Sequence, residues 1–277
     1  MKIIFNADDF GLTRGVNFGI MDAFSHGVVR SATMMANAPH FQHAVELYKS
    51  SLVDKTKSPN DATIVNDATI VNDTHLSKCT NLSNGTNLAN STNLALGVHL
   101  VLTSGSSLTK CKSITDSDGA FFKLPVLENK AKAGGLDLDE LYTEWDTQVQ
   151  KVMGAGIPIT HFDSHHHVHT LPNVDTVFEK LVKKYGVKAR HKSTQIFLND
   201  FYDDGVSIEN LKAMLFMNSN MSSIEIMCHP AYIDQALVDA TRYCMPRLKE
   251  LDVLTSDDIK IFIQKHNWEL CTYGDIS

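Results

Sequence analysis

An apolar run that ends in two carboxylates, KIIFNADDFG, occupies residues 2–11 of this 277-residue chain. Residues 2–7 predict a buried strand, because four of the six are apolar. Thr13 is a favoured helix N-cap, and the apolar spacing after it predicts a helix to about residue 26 with Gly27 as its stop. A strand followed at once by a helix is the unit from which parallel β/α folds are built.

The same strand–helix unit recurs along the rest of the chain. Short apolar runs predict further strands at residues 31–38, 94–103, 158–164, 187–191, 223–228 and 268–273. Apolar residues at helical spacing predict helices between them, at residues 41–48, 138–152, 174–185 and 257–266. This alternation indicates an α/β fold of parallel units, closed as a barrel or arranged as an open sheet. Length alone allows one large α/β domain or two small ones, and we treat residues 1–277 as one domain.

A low-complexity segment interrupts the alternation at about residues 55–93. DATIVN occurs twice in succession, at residues 61–66 and 67–72, and TNL recurs with a period of six at residues 80–82, 86–88 and 92–94. Period six could indicate a short β-helix, but so few turns have little apolar surface to bury. We therefore interpret the segment as a solvated loop inserted before the third strand.

Composition excludes several classes of protein. The net charge of −7 argues against a nucleic-acid binder, which normally carries a basic face. No apolar run reaches the roughly 18 residues of a membrane span, and the first residues lack the apolar stretch of a signal peptide. Five scattered cysteines without a CxxC pair predict neither a disulfide framework nor a thiolate zinc site. We expect a cytoplasmic protein, with a homodimer as the oligomer to consider.

Residues able to bind a metal accompany the first and third predicted strands. Asp8 and Asp9 follow the first strand, where a buried carboxylate is costly unless it is paired or bound to a metal. The plainer interpretation is a solvated turn that caps the next helix. Neighbouring side chains on an extended chain point in different directions, so these two should not share one task. His99 lies within an apolar strand, where a core histidine is the ordinary interpretation and a metal ligand the alternative.

The densest group of such residues is HFDSHHHVH, residues 161–169. Strand side chains alternate between faces, so His161, Asp163 and His165 should share one face. Imidazoles and a carboxylate at the end of a strand strongly indicate a metal site. A histidine-rich surface turn is the alternative, and it explains less well why the cluster begins within a strand.

The carboxyl ends of parallel strands form the edge at which sites arise, so we expect these groups to meet there. One carboxylate and two imidazoles leave coordination positions open, as in catalytic rather than structural metal sites. The other carboxylate is then free to act as a base. His229 also ends a predicted strand, in EIMCHP at residues 225–230, and suits a general acid, although a core or capping histidine fits nearly as well.

Five stretches of the chain are similar to one known family: NADDFGLTRGVNFGI (6–20), GVHLVLTSG (97–105), THFDSHHHVHTLP (160–172), EIMCHPAYID (225–234) and YCMPRLKELDVLTS (243–256). Together they resemble the YdjC-like carbohydrate deacetylases, most closely the chitooligosaccharide deacetylase branch. The resemblance implies a modified parallel β/α barrel with a divalent metal at the carboxyl ends of its strands. It also implies hydrolysis of an N-acetyl group from a small amino-sugar oligosaccharide, with or without a phosphate.

The resemblance also assigns residues. The family's metal motif matches His99 and His165, with Asp9 as the third ligand, while Asp8 matches the base and His229 the acid. The family's usual metal is Mg²⁺, whereas two imidazole ligands favour Zn²⁺ or another transition metal.

Two further residues follow from the mechanism of metal-assisted amide hydrolysis. Asp163 can hold a ligand histidine by a hydrogen bond, or be an ordinary turn carboxylate. Arg190 can orient Asp8 or bind a substrate anion, or be a solvated arginine at a strand end. Two other functions stay open from the sequence: another barrel metallohydrolase, such as a phosphoesterase or cyclic amidohydrolase, and a protein that binds metal or sugar without catalysis.

Overall fold

A computed structural model describes residues 1–53 and 93–276 of the chain. The low-complexity insertion predicted at about residues 55–93 therefore falls, except for its last residue, outside the described residues. Among those described, no helix combines the length and the apolar composition needed to cross a membrane.

The centre of the fold is one parallel sheet. Its strands are β1 (Lys2–Phe10), β2 (Ser31–Met34), β3 (Ala95–Leu100), β4 (Ile159–Ser164), β5 (Lys188–Ala189), β6 (Ile196–Leu198), β7 (Ser223–Cys228) and β8 (Glu269–Leu270). They lie in the order β5-β4-β3-β2-β1-β7-β6, and β8 pairs with the start of β1. The sheet curls into an incomplete barrel with helices around it, which confirms the predicted α/β barrel fold.

The helices of the described residues are α1 (Arg14–Ser25), α2 (Phe41–Val53), α3 (Leu124–Lys132), α4 (Leu138–Gly154), α5 (Val174–Tyr185), α6 (Ile208–Met217), α7 (Gln235–Ala240), α8 (Met245–Thr255) and α9 (Asp257–Lys265). Thr13 caps α1 as expected, since its side chain accepts the backbone N–H of Val16. Gly186 ends α5 in the left-handed conformation that favours glycine. The sequence patterns did not predict α3, α6, α7 and α8.

Alternation along β1 separates the apolar core from the polar interior of the barrel. Ile3, Phe5 and Ala7 pack in the main core, whereas Ile4 packs with Tyr273 in a small cluster of its own. Asn6 lies on the same face as Ile4 and binds polar side chains from neighbouring strands. The face that carries Ile4 therefore leads from an apolar base towards a polar site at the strand end.

Candidate active site

Both carboxylates at the end of β1 line one cavity, because the backbone does not stay extended there. Asp9 has φ 69°, in the left-handed region, and the pairing of β1 with β2 shifts register between Ala7 and Phe10. The expectation that Asp8 and Asp9 diverge as neighbours on an extended strand is wrong for this reason. The two carboxylates differ instead in the side chains that they contact.

Asp9 lies against two imidazoles. Its Oδ1 is 2.9 Å from Nδ1 of His165 and 3.3 Å from Nε2 of His99, and one ligand atom from each of the three residues lies within 4.8 Å of the others. His99 Nδ1 is 2.7 Å from Asp163 Oδ1, which leaves Nε2 of that ring for a ligand. The donor set therefore fits a divalent ion with two nitrogen ligands and one oxygen ligand.

A second group of potential ligands, Asp8, His99 and Asp163, is equally compact. Its oxygens already have partners: both oxygens of Asp8 accept N–H groups of Arg190, and Oδ2 of Asp163 accepts the hydroxyl of Thr33. We interpret this group as a charge network that supports the Asp9 set.

Arg190 is the centre of that network and is fully buried. Its Nη1 and Nη2 donate to the two oxygens of Asp8 at 2.7 and 2.8 Å, and its Nε donates to Glu225 at 2.7 Å. Burial alone would raise the pKa of Asp8, but the charge and hydrogen bonds of Arg190 outweigh it and hold that pKa well below its ordinary value. The pairing therefore favours the ionised form of Asp8, and because Arg190 is fully buried, the solvated interpretation of Arg190 does not hold.

His229 also lines the cavity, with Nε2 4.0 Å from Asp8 Oδ2. Its backbone N–H donates to the buried carboxyl of Glu250, and burial raises the pKa of Glu250 to about 8. Burial and the charge of Arg247 lower the pKa of His229 to about 3. At neutral pH the imidazole is therefore uncharged, and it must gain a proton before it can donate one.

Arg247 and Glu250 are buried on α8 and were missed by the sequence analysis. Nη2 of Arg247 donates to Asp9 Oδ2 at 2.6 Å, which places a guanidinium on the side of Asp9 away from the imidazoles. The sequence does contain an indication that they are buried, because both residues share the helical spacing of the buried Leu251 and Leu254. Charged residues within an apolar stripe indicate buried partners.

The predicted alternation of the histidine cluster is observed for its first members. His161 faces the interior but lies below the site, where it binds Asn6 at 2.9 Å and stacks on Tyr273. Gly97 permits this packing, since a Cβ there would stand 2.5 Å from the His161 carbonyl oxygen. His169 is buried on Ser164, at 2.6 Å, and is not among the cavity residues.

The cavity above the Asp9 set has a volume of about 420 Å³, within the range of small-ligand sites. Its walls come from loops after several strands and carry both polar and aromatic side chains, among them Thr103, Lys123, His166, Asn199, Tyr202, Thr241 and Tyr243. A wall that combines hydrogen-bonding side chains with aromatic rings suits a small substrate that has both polar and apolar surface.

The fold is that of one known class of protein. The chain belongs to the YdjC-like protein family, whose family model matches residues 2–55 and 68–265. The family membership predicted from the sequence motifs is therefore confirmed.

The chain is also similar to individual curated proteins and to a solved structure. Proteins named carbohydrate deacetylase from Listeria monocytogenes serotype 4a (strain HCC23) and Clostridium beijerinckii are 33% and 31% identical, each over 100% of both chains. A crystal structure from Enterococcus faecalis V583, described as a candidate cellobiose-phosphate cleavage protein, is 30% identical with a TM-score of 0.79. It covers 99% of this chain and 97% of its own. The enzyme class expected from the sequence is the one named for these curated relatives.

Proposed function

We propose that this protein is a metal-dependent carbohydrate deacetylase that removes an N-acetyl group from small amino-sugar oligosaccharides. The substrates are chitobiose-like, with or without a phosphate at O6. One observation carries the proposal: Asp8 and Asp9 line the same cavity, yet only Asp9 contacts the imidazole pair, while Arg190 holds Asp8 as a separate anion. A ligand carboxylate beside an independent base is what metal-assisted amide hydrolysis requires.

Asp9, His99 and His165 would hold the divalent ion. The chemistry that such an ion supplies is Lewis acidity, which polarises a carbonyl and lowers the pKa of water. The donor set accommodates both metals expected from the sequence, Zn²⁺ and Mg²⁺. Asp163 would support this set by fixing the orientation of the His99 ring.

Asp8 takes a proton from the attacking water. Arg190 binds both of its oxygens, so the carboxylate is held in one orientation and cannot rotate away from the cavity. The same contacts make Asp8 a weak base, which suits it to deprotonate water only where that water is acidified.

His229 passes a proton to the departing sugar amine, because an amine anion is too poor a leaving group. Its imidazole is uncharged at neutral pH, and Nε2 lies 4.0 Å from the nearer oxygen of Asp8. This separation is longer than a hydrogen bond, so the proton that Asp8 takes from the attacking water would reach His229, and then the amine, through an intervening water. Water attack and amine release then use the same proton.

Acetate release from diacetylchitobiose and from its 6-phosphate tests the proposal, with the protein stripped of metal and then given Mg²⁺ or Zn²⁺. We expect acetate in stoichiometry with free amine, only when metal is present. Release of phosphate from phosphorylated sugars without acetate would instead support a phosphoesterase. Sugar binding without turnover of either substrate would support a non-catalytic binding protein. The cytoplasmic location and the homodimer stay predictions.

A further inference from the structure

A pair of tyrosines forms one wall of the active-site cavity and has no part in the chemistry proposed above. The rings of Tyr202 and Tyr243 stack with centroids 4.1 Å apart and planes 3° apart. Both meet the imidazole of His229 edge to face, at centroid distances of 5.7 and 5.9 Å. Two parallel aromatic rings therefore stand directly beside the group that serves the leaving amine.

Tyr243 is held rigidly from behind. Its hydroxyl donates to Glu250 at 2.6 Å and accepts the backbone N–H of Asp203 at 3.0 Å. The guanidinium carbon of Arg247 lies 5.5 Å from the ring centroid. Because Glu250 also accepts the backbone N–H of His229, the aromatic pair and the imidazole share one buried anchor.

Tyr202 presents its ring to the cavity. Tyr243 stacks on one face of the ring, which leaves the other face free of that partner, and 43% of the residue is exposed while it lines the cavity. A large aromatic side chain exposed within a cavity, and backed by a second ring, is arranged to stack on a flat partner.

We propose that Tyr202, backed by Tyr243, binds the apolar C–H face of the pyranose ring that carries the acetamido group. The inference rests on the proposed function and names its sugar subsite. A pyranose with equatorial substituents has a face of C–H groups free of hydroxyls, and the negative face of an aromatic ring attracts such polarised C–H groups. Stacking there would place the amine of the same ring next to His229, and Asn199 and Thr241, which line the same cavity, are available to bind its hydroxyls.

Steady-state kinetics on diacetylchitobiose with saturating metal test the platform. We expect Tyr202→Ala to raise KM about 5- to 100-fold, the range found when a stacked aromatic ring is removed from a flat ligand, with kcat within about threefold. Tyr202→Phe keeps the ring and should recover most of the lost affinity. Tyr232→Ala is the matched control, because Tyr232 is 44% exposed and is not among the residues of this cavity.

The outcomes separate this inference from the proposed function. An active wild type whose KM is unchanged in Tyr202→Ala overturns the platform and leaves the deacetylase intact. A tenfold fall in kcat with unchanged KM also overturns it, because that pattern assigns Tyr202 to the chemistry. A wild type that binds the disaccharide by calorimetry but releases no acetate overturns the proposed function alone. The Kd of Tyr202→Ala then decides the platform, with a weakened Kd supporting it and an unchanged one refuting it.

Discussion

Replacing Asp8 by asparagine should remove the base of the reaction and leave the metal ligands in place. Asparagine has nearly the same shape but loses the negative charge and one acceptor. In the wild type both oxygens of Asp8 accept N–H groups from Arg190, and Oδ1 also accepts the side-chain amide of Asn6. After the exchange, an NH₂ group must face one of these donors, so the pairing with Arg190 is partly broken.

The effect on rate follows from the role of a general base. Removing such a base typically costs about 10²–10⁴-fold, equivalent to about 3–5 kcal/mol of transition-state stabilisation. The loss should appear in kcat more than in KM, because the role proposed for Asp8 is to deprotonate the attacking water and not to hold the sugar.

The effect on stability is smaller, because Arg190 keeps other counter-charges. Glu225 lies 2.7 Å from its Nε and Asp163 lies 3.2 Å from its Nη1. We expect a loss of about 1–3 kcal/mol, the value of hydrogen bonds to a charged group, rather than the larger cost of an unpaired buried charge. At about 2–4 °C per kcal/mol, Tm should fall by about 2–12 °C.

The stability deficit should depend on pH with a definite sign. The pKa of Asp8 is lowered in the folded protein by Arg190, so the pair stabilises the wild type above the ordinary carboxyl pKa of about 3.9. This advantage is lost as pH falls from there towards the folded pKa. The difference in unfolding free energy between wild type and Asp8→Asn should therefore be constant near neutrality and shrink in acid below about pH 4.

Acetate release, elemental analysis and thermal melts on Asp8→Asn and Asp9→Asn check these expectations together. Asp9→Asn should lose bound metal, while Asp8→Asn retains it. Asp146→Asn, an exchange at a partly exposed ion pair with Lys184, serves as the control and should keep wild-type kinetics. The reasoning is refuted if Asp8→Asn keeps kcat within tenfold of wild type. Metal lost from Asp8→Asn but retained in Asp9→Asn would reverse the two roles.

Three further expectations concern the ligands, a buried acid and the repeat segment. His99→Ala and His165→Ala should each lose bound metal, measured by elemental analysis, and activity, measured by acetate release, while His166→Ala should lose less of both. Stoichiometric metal in His99→Ala or in His165→Ala contradicts the ligand assignment. Burial raises the pKa of Glu250 to about 8, so the wild type loses folding stability as pH rises from about 5 to 8, where only the unfolded chain gives up this proton readily. Glu250→Gln has no such proton and should gain stability relative to wild type over that range; parallel Tm curves against pH contradict this. Replacing residues 60–90 by a short Gly/Ser linker should leave the melt cooperative and nearly unchanged, since closing a longer loop costs little; an insoluble variant shows that the repeats are required.

Sequence patterns predicted the parallel fold because each β/α unit carries its own local signals. Thr13 and Gly186 mark helix ends through side-chain chemistry and backbone freedom that act within a few residues. Helices α6 to α8 carry weaker signals. The apolar stripe of α8 includes Arg247 and Glu250, whose burial depends on partners far away in the chain.

The candidate site was predicted only as a set of residues, not as a pattern of contacts. His99, Asp163 and His165 meet because neighbouring strands end together, and that much follows from parallel topology. The contact between Arg247 and Asp9 joins residues 238 positions apart and has no local signature. Strand alternation also gave the wrong reason for separating Asp8 from Asp9, since the left-handed backbone at Asp9 cancels it.

The separation of the two carboxylates is instead electrostatic, made by one arginine for each. Arg190 neutralises Asp8 from the β5 side, and Arg247 neutralises Asp9 from α8. Two more buried carboxylates, Asp163 and Glu225, lie beside these pairs, and both contact Arg190. Within residues 1–53 and 93–276, no additional arginine pairs with either of them.

If all four carboxylates are counted as ionised and the histidines as neutral, as metal ligands must be, two guanidinium groups leave two negative charges; burial raises the pKa of Asp163 and so opposes the charge there. Glu250 adds no charge at neutral pH, because burial raises its pKa to about 8. A buried excess of two negative charges is unfavourable unless it is balanced, and a divalent ion bound by Asp9, His99 and His165 balances it. Buried carboxylates thus outnumber the guanidinium groups at this site, and that imbalance favours a bound cation beside Asp9, as the proposed function requires.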